Sequence, residues 1–115
     1  MGKSTITIDV EMDENRIPEG ILWNATDSIS GKPQKSKAMM LSFWDGEEKT
    51  ALRVDIWTKK MMVDEMADFF YQTMMTMADT YGRATHHEDI VNDMKKSAKE
   101  FYQKFREKQM KESKA

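Results

Sequence analysis

The sequence predicts an α+β fold: a four-stranded, mainly antiparallel sheet followed by two C-terminal helices packed on one face. Three observations predict it. Residues 4–57 carry short runs that alternate polar and apolar, separated by Gly, Pro and Asp. Residues 58–81 change to a helical period, and residues 85–110 repeat one. Strands come first and helices afterwards, the order of an α+β chain rather than of alternating β-α units. At 115 residues the length is that of one domain, 1–115. It divides into a sheet over 4–57, a long helix over 58–81 and a second helix over 85–110 ending in a frayed basic tail.

The first strand covers Ser4 to Met12. Ile6, Ile8, Val10 and Met12 face one way, and Thr5, Thr7, Asp9 and Glu11 the other. Asp13 to Gly20 is a loop closed by Pro18 and Gly20. Ile21 to Thr26 forms a short second strand with Trp23. Asp27 to Lys37 has Gly, Pro, Ser and Lys with almost nothing to bury, the signature of a flexible loop. Ala38 to Trp44 is the third strand, with Met39, Leu41 and Phe43 on one face and Met40 and Trp44 on the other. Asp45-Gly46 begins a hairpin connection in which Gly46 is available for positive φ. Thr50 to Trp57 returns as the fourth strand, with Leu52, Val54 and Ile56 on one side.

The helix over 61–81 organises the rest. Val63, Met66, Ala67, Phe70, Met74, Met77, Ala78 and Tyr81 centre on one direction, flanked by Met62 and Phe69 on one side and Tyr71 and Met75 on the other. Its polar strip is narrow, so it needs cover from two sides. Thr58 is placed to cap it, and Gly82 to stop it. Thr85-His86-His87-Glu88 has the capping-box spacing of a second helix. There Val91, Met94, Ala98, Phe101 and Phe105 form the seam. After Arg106 only Met110 is apolar, which predicts fraying.

Composition excludes several function classes. A net charge of −2 gives no footprint for nucleic acid. The eight Lys/Arg against three Glu in residues 95–115 suit a solvated helix end near the negative pole. Without cysteine there is no disulfide, thiolate metal site or Cys nucleophile. No apolar run has the length needed to cross a bilayer, and the N-terminus lacks the apolar region of a signal peptide, so a cytoplasmic location without membrane insertion is expected.

His86-His87-Glu88-Asp89 is the one cluster of metal-ligand residue types. Neighbouring helical residues diverge by about 100°, and the one-turn partners of the two histidines are Ile90 and Val91. No metal, cofactor or catalytic residue is therefore assigned. Asp55 is explained as an outward strand position opposite Arg53 or a lysine. With no phosphate loop or nucleophile elbow, a non-enzyme is expected.

The 12 methionines, six of them within 61–77, have two readings. They fill the core, or they make a soft docking surface for a peptide or helix. Met40, Trp44 and Trp57 fall on the outer sheet face, so both faces of strands three and four need cover. A second copy or a protein partner would supply it, and a homo-oligomer is expected. The candidate interaction residues are Met40, Trp44 and Trp57, then Met62 and Phe69.

Three segments resemble the gliding-motility protein family GldC of the Bacteroidota. They are Trp23-Asn24-Ala25-Thr26-Asp27; Lys37-Ala38-Met39-Met40-Leu41 running to Trp44-Asp45; and Trp57-Thr58-Lys59 followed by Met61-Met62-Val63-Asp64-Glu65-Met66, Phe69-Phe70 and Thr76-Met77-Ala78-Asp79-Thr80. The resemblance implies a small accessory protein of gliding and its linked secretion machinery, acting by protein–protein contact, with no catalytic residues to carry over. The strand-then-helix order is also similar, as fold analogy alone, to the oligomeric export chaperone SecB. A chaperone-like, peptide-binding role is thus the alternative.

Overall fold

In a computed structural model of the chain, residues 2–26 and 32–113 are described. The chain divides into two compact units, Met1–Met61 and Met62–Ala115.

The first unit holds five strands. β1 (Ile6–Met12) pairs antiparallel with β2 (Pro18–Ala25), which pairs antiparallel with β3 (Gln34–Ser36). β4 (Ala38–Asp45) and β5 (Thr50–Trp57) form a separate antiparallel pair. The sheet is therefore not the single four-stranded one that the sequence predicts, but two sheets of three and two strands. The reason lies at Lys37. A bend there separates β3 from β4, and the Lys37 carbonyl accepts from both the N–H and the hydroxyl of Thr58, each at 2.8 Å. β3 falls in the stretch read as a flexible loop. Three polar residues offer no alternation to detect, yet their backbone pairs with Ile21, Leu22 and Trp23. Residues 27–31 of that loop lie outside the described residues.

Ile21, on the central strand β2, is fully buried between Val10 and Ser36 of its neighbours. The same face carries Trp23, whose indole N–H donates to Ser36 Oγ at 3.0 Å. The β1–β2 turn is built by Asp13, which accepts from the N–H groups of Asn15 and Ile17 and from Lys59 Nζ. These bonds, led by that from Ile17, hold its carboxyl below the ordinary carboxylate value. Its contribution to stability is present above that ordinary value and is lost as pH falls through the lowered one.

The β4–β5 connection places its positive φ at Lys49 (56°), not at Gly46. Asp45 orders the loop by accepting from Glu47 N–H and Glu48 N–H, and the Lys49 N–H closes it onto the Asp45 carbonyl. A side chain in the left-handed region costs about 1 kcal/mol. Lys49→Gly is therefore expected to raise stability by up to about 1 kcal/mol in denaturant melts.

The second unit is a helical hairpin of α1 (Val63–Thr85) and α2 (Glu88–Ser113). Thr58 does not cap α1. It is buried in the first unit, and Met62 is the N-cap, with Glu65 reaching back to accept from its N–H. Gly82 does not stop α1 either. The helix passes through it because a Cβ there would sit 3.0 Å from Val91 Cγ2, so this glycine admits the close approach of α2. The stop comes at His86, in the left-handed conformation. Thr85, read as the start of the second helix, ends the first: its hydroxyl donates to the Tyr81 carbonyl and accepts from His87 N–H. α2 runs on to Ser113, three residues beyond the predicted end at 110.

The helices meet over small residues. Ala67, Ala78 and Ala98 are buried. Beside them the rings of Tyr71 and Tyr102 lie 5.0 Å apart, and the Tyr102 hydroxyl donates to Asp68 at 2.6 Å. That bond, together with desolvation, pushes the Tyr102 phenol above its ordinary value near 10.0. A raised folded value means a stabilisation fully present below the unfolded value and lost as pH climbs through the folded one. Wild type should therefore lose melting temperature more steeply than Tyr102→Phe as pH rises above about 10. Equal slopes would remove the bond from the account.

Candidate functional site

Two exposed apolar surfaces stand out, one in each unit. In the first unit, register and alternation place Met39, Leu41 and Phe43 of β4 opposite Ile56, Val54 and Leu52 of β5, all on one face. Phe43, Leu52 and Val54 are 58%, 55% and 47% exposed. The opposite face carries Met40, Trp44, Arg53, Asp55 and Trp57. Arg53 forks onto Asp55, with nitrogen–oxygen distances of 2.9 and 3.1 Å.

The predicted residues Met40, Trp44 and Trp57 do share that face, and both tryptophans are exposed. They do not form one patch. Trp44 lies opposite Ala51 and Trp57 opposite Ala38, at the two ends of the hairpin, roughly 20 Å apart at about 3.3 Å per residue. The Arg53–Asp55 pair and Ser42 occupy the middle. The more continuous apolar face is the reverse one.

In the second unit, Val63, Phe70 and Met77 recur every seventh residue and are 76%, 41% and 52% exposed. A seven-residue step drifts by only about 20° on a helix, so they line one flank of α1. Phe70 meets Phe101 of α2 with ring centroids 6.4 Å apart, and the exposed Ile90 lies on the Phe101 side of α2. The other flank is polar, with Tyr102–Asp68 and an ion pair of Lys95 with Asp79 at 2.7 Å. The hairpin thus has one oily and one wet side. The predicted Met62 and Phe69 lie on neither: both sit on the side of α1 away from α2, Met62 exposed and Phe69 half-buried.

The histidines are explained by the turn. His86 carries its left-handed residue, and His87 Nδ1 lies 3.0 Å from the Tyr81 hydroxyl. Among the described residues no group of three or more His, Cys, Asp or Glu gathers in a metal-holding arrangement.

A family model described as gliding motility-associated protein GldC-like matches residues 18–107. The chain belongs to the GldC-like family. No curated protein and no solved structure matches it. The GldC-like match begins at β2 and ends within α2, so both exposed surfaces fall inside it. No helix among the described residues is long and apolar enough to cross a membrane.

Sequence reasoning did not single out Phe43, Leu52 and Val54, which are exposed. It grouped Val63, Phe70 and Met77 with Ala67 and Ala78 as one buried face. The signal that separates them is size: the alanines fit a close helix crossing, and the larger residues are left on its rim.

Proposed function

We propose that this GldC-like chain is a non-enzymatic, cytoplasmic accessory protein of bacterial gliding motility that works by holding a protein partner. The observation that carries the reading is the oily flank of the helical hairpin, Val63, Phe70 and Met77. Isolated exposed apolar residues are ordinary on a protein surface, but a row of them at helical spacing is the form that receives a partner helix or peptide. Met40, Trp44 and Trp57 remain proposed contacts of the strand unit, with Met62 and Phe69 secondary on α1. The partner belongs to the gliding or linked secretion machinery.

The test is a gliding bacterium whose only copy of the gene carries Val63→Asp and Met77→Asp. Both side chains are already exposed, so abundance and melting temperature should hold. Gliding speed is expected to fall to that of a deletion strain. Normal gliding at wild-type abundance would refute the reading.

The second reading is a SecB-like chaperone. Met62 and Met77, both exposed on α1, favour it, because unbranched polarizable side chains adapt to varied clients. It requires suppression of the aggregation of an unrelated unfolded protein at equimolar ratio, and its absence removes the reading.

A further inference from the structure

The strand β5 is the most open element of the first unit. Every residue from Thr50 to Trp57 except Ile56 is exposed, whereas β4 is half-buried over Ala38–Leu41. Among the described residues β5 pairs with β4 alone, so its outer edge has no strand against it. It is eight residues long and contains no proline, glycine or lysine to blunt that edge. A two-stranded sheet exposed in this way is marginal alone and gains from a third strand.

We infer that β5 pairs antiparallel with β5 of a second copy of this chain, centred on Val54, joining two hairpins into one four-stranded sheet. This rests on the reading above that the chain acts through protein contacts, and it names one such partner.

The register follows from charge and face. A two-fold axis pairs residue i with residue j of the other copy at a constant sum. Leu52, Val54 and Ile56 stay on one face with their counterparts only if that sum is even, because side chains alternate. Centring on Arg53 puts two arginines opposite each other, and centring on Asp55 puts two aspartates there. Like charges directly opposite are destabilising. Centring on Val54 places Arg53 against the partner's Asp55 and Asp55 against the partner's Arg53. Leu52 then meets the partner's Ile56, and Ala51 the partner's Trp57. The strand reads as charge-complementary to itself reversed. Each arginine keeps its own Asp55 and gains a second carboxylate across the axis. The apolar face of Phe43, Leu52 and Val54 becomes continuous with its copy.

Sedimentation equilibrium tests this with the full chain. Wild type is expected at twice the 13.5 kDa mass of one chain. Arg53→Asp and Asp55→Arg each set like charges across the axis twice and should raise the dimer dissociation constant about 100-fold. The intrachain ion pair they remove is exposed, so circular dichroism should show both variants folded. Mixing the two variants restores opposite charges at both positions, and a heterodimer should form from two weak partners. The double exchange Arg53→Asp with Asp55→Arg should self-associate as wild type does. A monomeric wild type at micromolar concentration overturns the inference. So does a dimer indifferent to the single exchanges, or a mixture that stays monomeric. None of these results bears on the flank of α1, whose gliding assay stands or falls separately.

Discussion

Ile21→Ala is expected to cost the strand unit about 3 kcal/mol, the largest loss from any single truncation there. Among the described residues Ile21 is the largest apolar side chain that is fully buried, and it sits on the middle strand of the three-stranded sheet. Removing its outer carbons forfeits their transfer free energy and leaves a cavity walled by strands on both sides, with little freedom to collapse. Ile21→Val deletes one methylene and should cost about 1 kcal/mol. All three tryptophans lie in residues 1–61, so indole fluorescence in a urea titration reads this unit. If Ile21→Ala melts with wild type, β2 does not centre the core.

Ala78→Leu is expected to destabilise the helical hairpin by about 3 kcal/mol, by overfilling rather than emptying. Ala78 is completely buried, and a Cβ one turn further on, at Gly82, would already press on Val91. Three more carbons have no space unless the helices part, and parting breaks the Tyr71–Tyr102 contact beside them. Leucine is nearly as good a helix former as alanine, so propensity cannot account for the loss. Ala84→Leu, on the exposed side of α1, is the control and should shift stability by less than about 0.5 kcal/mol. The ellipticity at 222 nm follows both, since this unit carries the helices.

These two sites show what could be read from the chain. The alternation of β1, the ends of β5 and the helical seam of Val91, Ala98 and Phe101 are written in apolar periodicity, and the structure keeps them. The misreadings share one cause: a residue with two uses was given its local one. Gly82 is a helix stop in isolation and a contact point when a second helix lies across it. Thr58 is an N-cap by position and a buried clamp on Lys37 by packing. β3 has no side-chain pattern at all, because it is held through its backbone. The exposed apolar surfaces were legible only as a surplus of oily residues. Which of them stays outside depends on how closely the helices cross, and that is set by alanines the hydropathy pattern treats like any other apolar residue.

The central claim is that the flank of α1 is open in the isolated chain and covered in the cell. Hydroxyl-radical oxidation of methionines measures this directly. Met77 lies on the flank, whereas Met110, also exposed, lies off it on α2. The account predicts that Met77 oxidises readily in purified protein and is protected in gliding cells, while Met110 oxidises alike in both. Equal oxidation of Met77 in the two settings would contradict it.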